Sequence, residues 1–328
     1  MSDTTTNAPA DWPFISVVIP TRARPLALKR CLEALLAQDY PVDRYEIHVV
    51  HNASPDGTEE VVREMAAGAG VPLTYTWRAG NGPGLSRRVG GMKAAGDILA
   101  FIDDDCVATP GWLRAGVAAF GPRTGLVQGR TAPNPAHKRR LLEKTVNVPG
   151  PSPYFETCNI FYRKDAFLEA SGEAGPFAEL FFGEDTDLAR RVLREGYEAA
   201  FAADALAYHD VTRQPLVKWL MECWHLRNIP LLVRLWPEMR ETLFLGVFLS
   251  RQSAAFDLAV VGGLLGAPFI GGWALLFVLP YLLVRMLEPG RYRNPPVVIA
   301  RALLGLPRSC VTFAALVYGS IRHRALVL

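Results

Sequence analysis

The chain has 328 residues, a formal charge of +3 and half its residues apolar, enough for one large core or for a core domain with an added membrane segment. Charge is unevenly placed: residues 241–328 carry eight Arg, no Lys and three acids, while the remainder is near neutral, a pattern that points to anionic lipid and away from nucleic acid. The cysteines (Cys31, Cys106, Cys158, Cys223, Cys310) are odd in number and include no CxxC pair, which argues against a zinc knuckle and a disulfide framework and for reduced thiols.

Residues 1–13 are mostly polar and carry only acidic charge, unlike a signal peptide. They read as a disordered lead-in, and the chain after them as starting out in the cytoplasm. Residues 14–20 (FISVVIP) are a β-branched apolar run ended by Pro, which predicts a buried strand. Residues 26–38 place Leu28, Cys31, Leu32 and Leu35 on one helical face. Strands are predicted over 45–50, 73–77 and 97–102, with a turn at 52–58 (NASPDGT) opening a helix over 58–65. Short strands alternating with helices predict an α/β fold, a doubly wound and mostly parallel sheet. Ligands in such sheets bind beyond the C-terminal strand ends. The residues after Pro20, Val50 and Ile102 are therefore the first candidates.

Further along, 111–120 reads as a helix and 126–130 as an edge strand. The prolines at 133, 135, 149, 151 and 153 and a basic cluster at 137–140 read as a long functional loop. Strands over 156–163 and 199–209 and helices over 165–170 and 185–195 complete this part. The last third differs. No charged residue appears from 258 to 284, a stretch longer than the roughly 20 residues that span a bilayer. Gly266, Ala267 and Pro268 interrupt it, so two spans over 243–266 and 269–287, or one tilted span, both fit. Arg285, Arg291 and Arg293 follow as a basic, cytoplasmic flank. Residues 297–328, broken by Pro307 and dotted with Arg, read as an interfacial helix.

Four constellations carry chemistry. Asp103-Asp104-Asp105 follows the fourth strand directly. Alternation points Asp103 and Asp105 the same way, and a hard divalent cation relieves the repulsion of two converging carboxylates. Taken alone, the triple could equally be an acidic turn capping the next helix. Gly183-Glu184-Asp185 opens a helix, where acids either cap the N-terminus or supply a general base. His209, between Tyr208 and Asp210, is a candidate metal ligand. Residues 80–91 are glycine-rich and carry Arg87 and Arg88, which reads as a flexible segment able to touch a phosphate.

In this order these pieces resemble the family 2 glycosyltransferases, inverting enzymes of the GT-A fold, across residues 14–209. The matching segments are VVIPTRARP (17–25), NASPDGT (52–58), AAGDILAFIDDDC (94–106), PGW (110–112), TCNIFYRKDAF (157–167), GEDTDLARR (183–191) and YHD (208–210). The resemblance implies a GT-A catalytic domain over 14–212; beyond it the chain reads as linker helices over 213–242 and, from the uncharged run and its basic flank, membrane-associated helices over 243–328. It implies Asp105 as ligand of Mg²⁺ or Mn²⁺, Asp103 at the metal or the donor ribose, and His209 completing the metal site. Asp104, Pro20, Thr21, Arg22, Asn52, Arg87 and Arg88 would lie at the nucleotide-sugar donor. Asp185 would be the general base and Glu184 would place the acceptor. His51 stands where the family has a base-reading Asp, and Arg88 where it often has Asn. The QxxRW motif of processive synthases is absent; Gln214 to Trp219 has the wrong spacing. The expectation is single transfer to a glycan or lipid-linked acceptor at the cytoplasmic membrane, with the catalytic domain facing the cytoplasm. The alternative is a membrane-tethered sugar-nucleotide-binding protein without turnover.

Overall fold

Apolar strands and one-faced helices assemble into an eight-stranded mixed sheet. The structure, a computed structural model, describes residues 12–52, 56–80, 82–137, 142–172, 182–287 and 295–328. The chain divides into two compact units, Met1–Lys138 with Thr145–Val211, and Arg139–Lys144 with Thr212–Leu328.

In the first unit β1 (Ile15–Thr21) is buried at every position, as a strand covered on both faces requires. It pairs in parallel with β2 (Tyr45–Asn52) and β4 (Ile98–Ile102), and β2 pairs in parallel with β3 (Leu73–Arg78). Past β4 the directions mix. β8 (Asn159–Arg163) runs antiparallel to β4 and to β6 (Thr124–Pro133), β6 runs parallel to β9 (Glu198–His209), and β9 runs antiparallel to β5 (Cys106–Ala108). The expected edge strand at 126–130 is in fact interior, between β8 and β9. Its glycines hid it: Gly125 and Gly129 leave room for the Tyr197 and Asn159 side chains. Asn159 ties this half together, accepting from Trp112 Nε1 at 2.8 Å and donating to the Arg130 and Ala205 carbonyls at 2.9 Å each.

Helices cover both faces. Ile15, Val17 and Ile19 of β1 share one core with Leu28, Cys31, Leu32 and Leu35 of α1 (Pro25–Leu36). Val18 shares the other with Phe101, Phe167 and Leu188. α2 (Thr58–Ala67), α4 (Trp112–Ala118), α5 (Lys164–Ser171) and α6 (Glu184–Arg194) lie near their predicted places. The expected flexible loop at 80–91 is instead mostly α3 (Pro83–Lys93). Proline near its start fits the first helical turn, and its glycines serve close packing. A Cβ on Gly91 would lie 2.6 Å from the Phe167 ring, and one on Gly90 would strike Val18.

The second unit holds the short antiparallel pair β7 (Glu143–Lys144) and β10 (Thr212–Arg213), then α7 (Leu216–Met221), a 3₁₀ turn (Glu222–Asn228) and α8 (Ile229–Leu235). The expected first span does not begin at 243. Residues before 250 form a tight turn with a Phe244–Phe248 bridge, and α9 (Arg251–Ile270) opens on a Ser250–Ser253 capping box. A 3₁₀ segment (Gly271–Val278) and α10 (Leu279–Leu287) fold back on α9, with Phe277 packed against Gly262. α11 (Pro295–His323) continues through Pro307, contrary to the expected break. Residues 251–286 and 303–323 are long and apolar enough to cross a membrane by length and composition alone. One face of the end of α11, read as interfacial, packs within this unit: Ala315 and Leu316 are fully buried, and Gly319 lies against the Arg227 carbonyl, while Tyr318 and Ile321 are 43% and 75% exposed. Arg291, Arg293, the Arg301 side chain, residues 138–140 and most of the N-terminal lead-in lie outside the described residues.

Candidate active site

The C-terminal ends of β1, β2 and β4 meet on one side of the sheet, with Thr21 opposite His51 in register. Of the three aspartates that leave β4, one goes to Arg87 and two share Arg24. Asp103 Oδ1 accepts from Arg87 Nη2 at 2.7 Å. Asp104, only 4% exposed, accepts from Thr21 Oγ1 at 2.7 Å and Arg24 Nη1 at 3.2 Å. Asp105 Oδ2 accepts from the same Arg24 atom at 2.6 Å. Burial pushes the Asp104 carboxyl up to about 7, with Arg24 opposing and Asp105 adding to the rise. Asp105 is also pushed up by burial, against the pull of His209.

Gly183 turns the chain into α6 with φ of 93°, a left-handed conformation that suits glycine. That turn delivers Glu184 and Asp185 to the same side. Asp185 Oδ1 accepts from Thr157 Oγ1 at 2.8 Å and from Arg87 Nη1 at 3.5 Å, and Oδ2 accepts from the Thr157 N–H at 3.1 Å. One buried guanidinium thus links the aspartate at the end of β4 to the aspartate at the start of α6. Burial alone would weaken the charge on Arg87. Asp103 and then Asp185 more than offset that, so its proton is held more firmly than usual. Burial raises Asp185, opposed by Arg87 and the Thr157 hydrogen bonds. Glu184 is pushed up by burial and by the Asp185 charge.

β5 and β9 pair Cys106 with His209, which sets His209 Nε2 3.5 Å from Asp105 Oδ1. Its Nδ1 lies 2.8 Å from the Asp210 carbonyl. Asp210 is held by Arg30 at 2.5 Å and Asn134 at 3.2 Å.

The other predicted donor residues are spread around this centre. Pro20 is buried in β1 and Arg22 is exposed just past it. His51 is turned inward, 3% exposed, with Nδ1 2.8 Å from Tyr75 Oη and Nε2 3.4 Å from Asp56 Oδ2. Asn52 accepts from Ser86 at 2.8 Å and from Arg78, and donates to the Gly82 carbonyl at 3.1 Å. Arg88 donates to the Gly172 carbonyl at 3.1 Å.

The model of glycosyl transferase family 2 matches residues 16–171. The glycosyltransferase AglE of Haloferax volcanii is 31% identical over 207 residues, which cover 60% of this chain and 67% of AglE. The chain belongs to glycosyltransferase family 2. It is a glycosyltransferase of the GT-A fold. The validoxylamine A glucosyltransferase of Streptomyces hygroscopicus subsp. jinggangensis is 26% identical over 274 residues, 72% of this chain and 64% of that enzyme. Among solved structures, the mannosyltransferase PcManGT from Pyrobaculum calidifontis, in complex with GDP-Man and Mn²⁺, superimposes with a TM-score of 0.58. The match has 18% identity and covers 96% of this chain and 88% of PcManGT, a likeness of fold.

The residues of this glycosyltransferase fit a divalent cation. Among the described residues, ligand atoms of Asp105, Cys106 and His209 lie within 4.8 Å of one another. With Nδ1 of His209 engaged by a backbone carbonyl, Nε2 is left as the ligand atom, the arrangement metal-binding histidines favour. Cys106 is a poor third member: burial pushes its thiol well up, and hard cations take oxygen before sulfur. Asp103, expected at the metal or the donor ribose, lies on Arg87, its side chain leaving β4 toward α3.

Three further residues of the site lie in the family-like segments 17–25, 157–167 and 52–58 but carry no individual signal there. Arg24 clamps two aspartates about 80 positions away. Thr157 orients Asp185. Asp56, read only as a turn residue, backs His51 and accepts from the Thr58 N–H at 3.0 Å.

Proposed function

We propose that this glycosyltransferase moves one sugar from a nucleotide-sugar donor to an acceptor hydroxyl at the membrane surface, in a single displacement that inverts the anomeric centre. The observation that carries this reading is the setting of Asp185. A carboxylate offers about four acceptor positions. Two on Oδ1 and one on Oδ2 are taken by Thr157 and Arg87. The position left on Oδ2 can accept the hydroxyl proton of the acceptor. Burial makes Asp185 a stronger base than a surface aspartate, while Arg87 and Thr157 favour its charged form. A buried base of raised pKa is what general-base catalysis near neutral pH calls for. Glu184, pushed toward its protonated form, can donate to the acceptor and hold it.

The acceptor oxygen bonds to the anomeric carbon as that carbon's bond to the diphosphate breaks. The proton goes to Asp185 and the electron pair leaves with the diphosphate. No covalent enzyme nucleophile is needed. Mg²⁺ or Mn²⁺ held by Asp105 and His209 would supply charge neutralisation for the departing diphosphate; the GDP-Man and Mn²⁺ of PcManGT support both the donor class and the cation. Asp103, hydrogen-bonded to Arg87, is left to the donor ribose or to the cation's waters.

The apolar stretch 251–286 supports an acceptor held at the cytoplasmic membrane, such as a polyprenyl-linked sugar or an envelope glycan. Arg285 at its C-terminal end supports a catalytic unit on the cytoplasmic side. The test is Asp185→Asn. Donor-induced thermal stabilisation should persist, while release of free nucleotide in the presence of acceptor falls about 10²–10⁴-fold. Unchanged turnover would sink the assignment.

A further inference from the structure

The helical unit contains a cavity of about 220 Å³ between α9, α10 and α11, lined among others by Ser253, Phe256, Asp257, Arg285, Arg308 and Thr312. Its walls mix apolar and charged groups. Asp257 is 3% exposed, and its Oδ2 has no hydrogen-bond partner among the described residues. An ionised carboxylate accepts only, so this atom calls for an N–H or O–H from a molecule in the cavity. Arg308 gives one N–H to the Trp219 carbonyl at 3.0 Å and lies over the Trp219 ring at 4.3 Å. No carboxylate among the described residues pairs with it. The cavity therefore presents an unmatched anion and a cation matched only by neutral groups.

The position of the cavity says what would bring the complementary charges. It lies at the open end of the α9–α10 hairpin, by the first turns of α9 and the last of α10. The opposite end is apolar and bare: Phe269, Trp273 and Leu275 are 87%, 72% and 74% exposed. From Asp257 to Ile270 the helix rises about 20 Å. A hairpin entering a bilayer tip first would pass the midplane of the roughly 30 Å hydrocarbon layer, with the cavity at the headgroup level.

We propose that this cavity holds the headgroup of an aminophospholipid, the ammonium on Asp257 and the phosphate on Arg308. The inference rests on the membrane part of the proposed function but not on the transfer chemistry. An ammonium offers three donors to the unpartnered carboxylate. A quaternary choline offers none, and an uncharged glycerol headgroup leaves Asp257 without a counter-charge.

The experiment is thermal unfolding of the full chain in detergent, followed by tryptophan fluorescence. The added probes are dihexanoyl-phosphatidylethanolamine, dihexanoyl-phosphatidylcholine, dihexanoyl-phosphatidylglycerol or free phosphoethanolamine. The ethanolamine lipid should raise the midpoint by several degrees more than the other two lipids. Asp257→Asn should remove that preference, and Thr312→Leu, which narrows the cavity, should weaken the response to all three. Equal responses of the unmodified chain to the three lipids would overturn the proposal, whether or not the variants fold. A preference that survives Asp257→Asn would overturn it as well. A shift with free phosphoethanolamine as large as that with its lipid would overturn the lipid assignment. Flotation with liposomes reads membrane entry separately. A chain that floats without an ethanolamine preference would leave the membrane reading standing and the headgroup site refuted.

Discussion

Arg87→Met removes the cation shared by Asp103 and Asp185 while keeping most of the side-chain volume. Removing one partner of a buried ion pair costs about 3–5 kcal/mol, because the other charge is left uncompensated. Two features put this site at the lower end. Both aspartate side chains keep 26% exposure, and the contact to Asp185 is long, at 3.5 Å. A loss of about 3 kcal/mol from a unit of roughly 200 residues lowers the melting midpoint by about 6–12 °C. The assay is thermal unfolding by circular dichroism of the full chain, for Arg87→Met, Asp103→Asn and the double variant. Because the two residues touch, the double variant should lose less than the sum of the singles by at least about 1 kcal/mol. Activity adds a second readout. Arg87 opposes the rise of the Asp185 pKa, so its loss raises that pKa further. The base works deprotonated, so the acid limb of the turnover–pH profile should move to higher pH. A destabilisation below about 1 kcal/mol, or an acid limb that moves down, would refute the reasoning.

Thr157→Val removes the 2.8 Å hydroxyl bond from the fully buried Thr157 to Asp185. We expect a stability loss of about 1.5–3 kcal/mol in chemical denaturation, with the acid limb again shifted up. His209→Ala should weaken Mn²⁺ binding measured calorimetrically without donor by at least about tenfold; an unchanged affinity would remove His209 from the ligand set. Gly91→Ala places a methyl 2.6 Å from the Phe167 ring. It should cost about 1–3 kcal/mol by overpacking although the residue touches nothing in the site; a neutral result would mean α3 can shift freely.

The sequence alone determined the layers of the catalytic unit. Apolar runs at 15–19 and 98–102 and the helical stripe Leu28, Cys31, Leu32 and Leu35 report burial through their own pattern, which is a local property. It also located the acids, because ligands in parallel sheets bind past the strand ends. Only the tertiary structure decided what each acid does. Arg87 and Asp185 are 98 positions apart, and nothing within either segment records the other. Consecutive Asp103, Asp104 and Asp105 part toward α3, β1 and β9 because the chain leaves β4 and turns into β5; simple alternation assumed it stayed extended. Glycine concealed α3 for a related reason. Gly90 and Gly91 lower helix propensity, and the compensating contacts with Val18 and Phe167 exist only once the sheet has formed. In α11 the prolines and arginines suggested a break and an interfacial surface. Packing against α8 and the 3₁₀ turn before it keeps the helix continuous, with Arg308 held against the Trp219 carbonyl and ring. Local pattern set which residues are buried; long-range pairing set which of them meet.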